Sequence, residues 1–320
     1  MKWLGLHSAL DPAGPQAARI SDLWWLMFWV SVAVFALVMI ALLVPLFRRG
    51  RGPEEPGPIP PESRRRITRA VAGATGVTAI VLFILLFASI GTGRALGSLS
   101  EPQALTVKLT GLQWWWRVEY QDPVPSRMVT TANEIHIPTG RPVLIQLESV
   151  DVIHSFWVPN LHGKRDLIPG HEGEIWIEAE RPGVYRGQCA EFCGFQHAKM
   201  GLLVVAEPPE RFAAWLDAQR RPAAAPITPA QQRGRQLVER LPCALCHTIQ
   251  GTEASGKTGP DLTHLASRRT LAAGTLQNTP GNLAGWIVDP QGVKPGNHMP
   301  SNLMASEDLQ ALLSYLGSLK

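Results

Sequence analysis

Four cysteines stand in this chain, and each close pair sits inside a larger set of side chains able to hold a metal. The first set is Gly187-Gln-Cys189-Ala-Glu191-Phe-Cys193-Gly-Phe-Gln-His197-Ala-Lys-Met200, joined by His154 in the upstream run Asp151-Val-Ile-His154-Ser-Phe-Trp-Val-Pro. Two thiolates, two imidazoles and a thioether form a soft donor set suited to copper, with one thiol more than a mononuclear blue-copper site uses. Cysteines four apart on one loop can both turn inward and share their sulfurs between two ions, each taking one terminal imidazole, from His154 and from His197. Met200 then offers a weak axial donor to one ion and the backbone carbonyl of Glu191 to the other. Bridging thiolates spread one electron over both ions, so bond lengths change little and transfer is fast. The bland alternative for four cysteines in an oxidising compartment is two disulfides.

The second set is Cys243-Ala-Leu-Cys246-His247. Two cysteines separated by two residues, with histidine directly after, read as c-type haem attachment. The thiols add across the two vinyl groups, and the neighbouring imidazole is carried under the iron. A thioredoxin-like redox pair would need a βαβ setting, which this stretch lacks. The sixth ligand is sought among His264, His298, Met299 and Met304. The loop Lys294-Pro-Gly-Asn-His298-Met299-Pro300 is bounded by proline and glycine and can fold a side chain onto the iron, and Met/His ligation raises the reduction potential.

The elements that must position these groups follow from periodicity. From about Glu101 to Pro208, apolar residues alternate with polar ones at Val107 and Leu109, Ile135 and Ile137, and Val143, Ile145 and Leu147, between turns such as Pro138-Thr-Gly140. Seven or so short strands in about a hundred residues suggest an all-β sandwich or barrel. Within it, Gly111-Leu-Gln-Trp114-Trp115-Trp116 places three tryptophans in a row. Neighbours on a strand face opposite sides, so at least one of them is partly exposed, open to lipid, another subunit or a redox partner. Arg211 to Arg220 has helical amphipathicity, and Pro222-Ala-Ala-Ala-Pro226 is a stiff exposed linker. Thr228-Pro229 caps the helix that runs into the haem motif, and a last helix opens at Ser306 with Leu309, Leu312, Leu313 and Leu316 on one face.

Upstream of all this lie two charge-free apolar runs, Leu23 to Phe47 and Ala70 to Gly93. At ~1.5 Å per residue either crosses a hydrocarbon core of about 30 Å. The loop between them carries Arg48, Arg49, Arg51, Arg64, Arg65, Arg66 and Arg69 against Glu54, Glu55 and Glu62, which places it in the cytoplasm and both termini outside. Trp24, Trp25 and Trp29 suit an aromatic belt at the outer end of the first span. The 320 residues carry a net charge of +4, but residues 1–99 hold +5, 100–210 hold −5, 211–227 hold +2 and 228–320 hold +2. Such segregation argues against a nucleic-acid binder. It also suggests that the acidic domain attracts a basic donor and that the following domain docks on it by charge complementarity.

Residues 20–210 resemble subunit II of the haem-copper cytochrome oxidases, and residues 228–320 resemble class I cytochromes c. The order of parts resembles the cytochrome-c-fused subunit II of caa3-type oxidases. The resemblance implies two transmembrane helices (an N-terminal hairpin after an external segment, 1–22, within 23–99), a cupredoxin domain over 100–221 with a terminal helix, a linker over 222–227 and an all-α cytochrome c domain over 228–320. It implies a binuclear CuA centre on His154, Cys189, Glu191 through its carbonyl, Cys193, His197 and Met200, and covalent haem c on Cys243, Cys246 and His247 with Met299 of the Met-Pro pair as axial ligand. It implies magnesium at the boundary with the catalytic subunit through the Glu191 side chain, and Trp114 as the surface point where electrons enter.

The partners implied are the catalytic subunit I and other oxidase subunits, a cytochrome c or similar donor, and the bacterial inner membrane, with both redox domains on the periplasmic side. The chain is then the electron-transfer subunit of a proton-translocating cytochrome c oxidase, and dioxygen reduction belongs to subunit I. A CuA-containing nitric oxide reductase, or a free-standing membrane-anchored carrier, would use the same parts. One departure from the family stands out: it has a carboxylate near the inner start of the second span, whereas residues 64–93 contain none and Glu62 precedes the arginine triplet.

Overall fold

The computed structural model describes residues 7–47, 60–97 and 105–320. Two long helices come first, α1 (Pro15–Phe47) and α2 (Pro61–Leu96). Both are long and apolar enough to cross a membrane, and no residue of α2 is buried. Each extends beyond its apolar run. Arg64, Arg65, Arg66 and Arg69, expected in the connecting loop, lie in the first turns of α2, and so does Glu62. The cause is local: Pro61 stands at the first helical position, arginine is a good helix former, and the Thr68 hydroxyl bonds back to the Arg64 carbonyl at 3.0 Å. Arg48, Arg49, Arg51, Glu54 and Glu55 lie outside the described residues.

The β domain has ten strands where the turn signals suggested about seven. They are β1 (Leu105–Leu112), β2 (Trp115–Tyr120), β3 (Val129–Ala132), β4 (Glu134–Pro138), β5 (Val143–Ser149), β6 (His154–Trp157), β7 (Arg165–Leu167), β8 (Gly173–Ile177), β9 (Gly183–Cys189) and β10 (Gly201–Glu207). One sheet runs β3-β2-β1-β5-β8 and the other β4-β10-β9-β6-β7. The extra strands are the short ones: β3 and β6 have four residues and β7 three, too few to show alternation in a sequence. Val107, Leu109, Trp116, Val118, Ile145 and Leu147 from the first sheet and Ile135, Ile137, Phe156, Tyr185 and Val204 from the second form one buried core. This is the cupredoxin-like sandwich that the resemblance implies. Helix α3 (Pro209–Gln219) closes it, with Phe212 in the core and Trp215 stacked on His136 at 4.0 Å. Residues ahead of α1 also lie on this domain: the Ala13 amide donates to Asn160 O at 2.7 Å, and Arg181 pairs with Asp11.

The C-terminal domain is helical, apart from a two-residue ladder between β11 (Thr270–Leu271) and β12 (Leu276–Gln277). Helix α4 (Pro229–Arg240) starts at a full capping box, Thr228 with Gln231. One turn, α5 (Cys243–Cys246), carries the haem motif, followed by α6 (Pro280–Val288), α7 (Pro290–Val293) and α8 (Ser306–Leu316). The stretch expected as a free linker is partly tied down. Ala223 donates to Gln250 O at 3.0 Å and lies against the helical core.

Gly234 lets α4 meet α8. A Cβ there would run into the Ala311 carbonyl and lie 2.7 Å from the Tyr315 Cβ, both on a buried face of α8. Gly234→Ala is expected to cost the cytochrome domain about 1–3 kcal/mol, the usual range for overpacking. Denaturant unfolding followed at the haem absorbance measures it, and an unchanged midpoint would show that the two helices can part freely.

Candidate metal centre and haem-attachment site

The soft donors converge because the second sheet places their carriers side by side. In that sheet Phe156 of β6 pairs with Cys189, the last residue of β9, while Gly201, first of β10, pairs with Gln188. The eleven residues between Cys189 and Gly201 therefore form a loop closed at its base, where the Cys189 amide donates to Met200 O at 2.9 Å. The Cys189 and Cys193 sulfurs are 3.8 Å apart. His154 Nδ1 lies 3.9 Å from the Cys189 sulfur, and His197 Nδ1 3.6 Å and the Met200 sulfur 3.7 Å from that of Cys193. The Glu191 carbonyl is 3.2 Å from the Cys189 sulfur, while the Glu191 side chain is exposed. A disulfide bond needs about 2.05 Å, and all four cysteines of the chain are free. His154, Cys189 and Cys193 are buried and can present three ligand atoms to one ion. The chemistry of this donor set fits copper.

The electrostatics suit a cation. The hydrogen bond between the Cys189 and Cys193 sulfurs favours the loss of one proton from the pair and resists the loss of the second. Burial opposes charge on His154, but the Cys189 sulfur and the Asp151 carboxylate outweigh it and hold the imidazole above its ordinary value. Burial would likewise raise Asp151, yet its bonds to His154 and to the amides of Val152 and Gln113 keep it below the usual carboxylate range.

Asp151 is a functional residue that motif reading passed over. Its Oδ1 sits 2.8 Å from His154 Nε2, fixing the ring so that Nδ1 faces the sulfurs. Its signal in the sequence was the spacing, three residues before the histidine. Gly111 completes the seat, because a Cβ there would stand 2.7 Å from the His154 ring. The Cys193 carbonyl is held in turn by Gln113 Nε2 at 2.8 Å and Trp114 Nε1 at 3.0 Å.

Trp114 departs from expectation. It is 6% exposed rather than a surface residue; Trp115, half-buried under the Arg117 guanidinium, is the one of the three that reaches solvent. Trp114 belongs to the sandwich core and also meets the haem-attachment domain: the His298 ring lies 5.8 Å from it, and Lys294 Nζ donates to its carbonyl at 2.8 Å.

In the haem motif, His247 Nδ1 lies 2.7 Å from Pro260 O and so carries the proton, leaving Nε2 free as a ligand. Burial pushes this imidazole down, favouring its neutral, ligating form. Gly259 lies flat beside the ring, where a Cβ would stand 2.7 Å from Cε1. Half-buried Cys243 and Cys246 flank the same turn. The set fits a covalently held haem with a proximal histidine. Of the other candidates, His264 has both ring nitrogens against carbonyls, Lys320 O at 2.8 Å and Arg221 O at 3.0 Å, and His298 is exposed beside Trp114. Met304 lies against the helical core. Met299 is half-buried, its amide bonded to Asn297 and its carbonyl to Gln291.

Two apolar helices, a cupredoxin with a soft-metal loop and a haem-attachment turn define a membrane-anchored redox protein. Residues 122–207 match the family model for the periplasmic domain of cytochrome c oxidase subunit II, and residues 231–320 match that for cytochrome c. Cytochrome c oxidase subunit 2 of Alkalihalophilus pseudofirmus is 36% identical over 324 residues, covering 98% of this chain and 91% of its own. That of Bacillus subtilis is 29% identical over 332 residues, covering 98% and 92%. Among solved structures, the periplasmic domain of subunit II of cytochrome oxidase from Bradyrhizobium japonicum is 32% identical, with a TM-score of 0.35, covering 37% of this chain and 96% of that one. The chain belongs to the cytochrome c oxidase subunit II family. The two domain matches imply copper in the first domain and haem c in the second.

Asp151→Asn removes the carboxylate that orients His154. Loss of such a partner typically weakens metal binding about 10–100-fold, and a competitive copper titration of the purified chain is expected to show a decrease of that order. Unchanged affinity would mean that the loop alone holds the ring.

Proposed function

We propose that this chain takes electrons from a soluble or membrane-bound cytochrome donor at its haem domain and hands them through its copper domain to the catalytic subunit of a haem-copper oxidase, which reduces dioxygen to water and translocates protons. The observation that carries the reading is the meeting, within 4 Å steps, of two cysteines, a histidine and a methionine from one closed loop with a second histidine from the neighbouring strand β6. On this reading His154, Cys189, Cys193, His197, Met200 and the Glu191 carbonyl hold a binuclear CuA centre, and Cys243, Cys246 and His247 hold haem c with Met299 as its axial ligand. When bound, the two groups supply one-electron redox chemistry with little rearrangement.

The chain's own residues do the rest. Asp151 and Gly111 seat the His154 ring, Gln113 and Trp114 restrain the Cys193 carbonyl, and the Pro260 carbonyl sets the His247 tautomer. Trp114 is then a relay between the two domains, in contact with Cys193 on one side and with Lys294 and His298 on the other. The exposed Glu191 carboxylate is free to take magnesium at the boundary with the catalytic subunit, and exposed Phe192 and Phe195 on the same loop suit that boundary. A periplasmic location for both redox domains, with two membrane passes, is supported by the arginines at the start of α2 and by the hydrogen bonds of residues 13 and 17 to the β domain.

Cys193→Ser in the assembled oxidase is expected to abolish the mixed-valence dicopper signal in paramagnetic resonance while leaving covalent haem staining intact. Persistence of that signal would overturn the binuclear assignment. Oxygen uptake by the copurified complex supports the oxidase reading, whereas NO consumption, or isolation of the chain without a partner, would replace it.

A further inference from the structure

Between the two redox domains lies a polar interface that neither cofactor site requires. Lys294 is 3% exposed, and from the cytochrome domain its Nζ reaches two carbonyls of the copper domain, Trp114 O at 2.8 Å and Lys199 O at 2.9 Å, with Ala272 O of its own domain at 3.4 Å. An ammonium has three N–H donors, and three acceptors surround this one. Glu134, also 3% exposed, makes the reverse connection. From β4 of the copper domain its Oε1 accepts from the Arg269 amide at 2.7 Å, the Thr270 amide at 2.9 Å and the Thr270 hydroxyl at 3.2 Å.

Further bonds lie between these two anchors, among them one from the Thr275 hydroxyl to Lys199 O at 3.4 Å. Gln196 Nε2 donates to Pro295 O at 2.6 Å, Lys199 Nζ donates to Val293 O, and the Gly201 amide donates to Ala273 O at 2.9 Å. Ala272 and Ala273 both have left-handed backbone, with φ of 52° and 56°. Alanine adopts that conformation at a cost of about 1–2 kcal/mol per residue, so it persists where surrounding contacts dictate it. Here the carbonyls of these two residues meet Lys294 and Gly201. The copper-domain side of the interface is the segment from Gln196 to Gly201, which contains His197 and Met200; the cytochrome side leads within five residues to Met299.

We propose that the cytochrome domain does not swing on its linker but is locked to the copper domain by two buried side chains exchanged across the interface, Lys294 into copper-domain carbonyls and Glu134 into cytochrome-domain amides, so that Trp114 is closed to outside donors. Lys294 and Glu134 are positioning residues: they hold the loop of one redox site against the loop of the other. The consequence for electron flow rests on the function proposed above; the lock itself does not. Arg268 and Arg269 of the cytochrome domain attract Glu134 and Glu207 across the interface, but no ion pair within 4 Å among the described residues joins the two domains and the lock's bonds run from side chain to backbone, so docking is expected to vary little with salt.

The test uses the full chain in the purified oxidase. Hydrogen exchange is read at the amides of Gly201, Arg269 and Thr270, which donate across the interface, and hydroxyl-radical oxidation at Trp114, with the fully buried Trp116 as internal control. In the wild type both are protected, equally at low and at high salt. In Lys294→Met, and independently in Glu134→Ala, the three amides are expected to exchange at least about tenfold faster and Trp114 to become oxidised, while Trp116 stays unmodified. Glu134→Gln keeps the Oε1 acceptor and is expected to restore protection. The lock is refuted if the wild-type amides exchange like open loops, if Lys294→Met leaves them and Trp114 protected, or if Trp114 oxidation rises with salt alone. Neither readout depends on the metals: a missing dicopper signal with intact protection would sink the copper assignment and leave the lock standing.

Discussion

The molecule is organised around one distance, the 3.8 Å between the sulfurs of Cys189 and Cys193. Two thiols this close without a covalent bond share one hydrogen bond, which favours a single thiolate and resists a second, since two adjacent anions repel each other. A cation relieves that conflict, and the sandwich exists to hold the conflict in place. Cys189 is the end of β9 and cannot move without breaking the pairing with Phe156; Met200 abuts β10 and is bonded back to the Cys189 amide. His154 opens β6, the next strand over, so one sheet delivers both a fixed base for the loop and the single ligand that the loop does not contain.

The same loop faces the second domain. On either side of His197, Gln196 and Lys199 carry the side chains and the carbonyl that meet residues 293–295, and Trp114 donates to the Cys193 carbonyl. A displacement of the cytochrome domain would therefore be felt at the donor cluster around Cys193, and a displacement of that cluster at the loop leading to Met299. The two redox sites share a wall rather than a tether.

The grouping of the soft donors was largely legible in the sequence because it depends on residue type and short spacing. Cys189 to Met200 and Cys243 to His247 are local strings, and the structure brings the donors of the first together with His154 from 35 residues upstream. The long helices and the N-cap at Thr228 were legible for the same reason: each is a short-range pattern. Strands such as β6 and β7 were not, being shorter than two periods of alternation. Least legible were groups whose roles depend on what lies opposite in the fold. Lys294 reads as a polar loop residue beside Pro295 and Gly296, and Glu134 as an ordinary strand carboxylate. Nothing local signals that either is buried against the other domain. The exposure expected of Trp114 failed on the same ground.

Net charge was a poor guide to how the domains dock. A copper domain at −5 and a cytochrome domain at +2 suggested long-range complementarity, yet the contacts are a buried amine among carbonyls and a buried carboxyl among amides. Burial, with Lys199 close by, pulls the Lys294 amine down to about 7, which shows how much solvation the group gives up. Only the carbonyls of Trp114, Lys199 and Ala272 compensate it, and they converge in one relative placement of the domains. Glu134 imposes the same condition from the other side. An apolar interface of the same size could slide by a residue at small cost, whereas sliding here would leave both groups desolvated and unpaired. The two buried groups therefore hold the domains in one placement, and a single placement is what electron transfer between fixed sites requires.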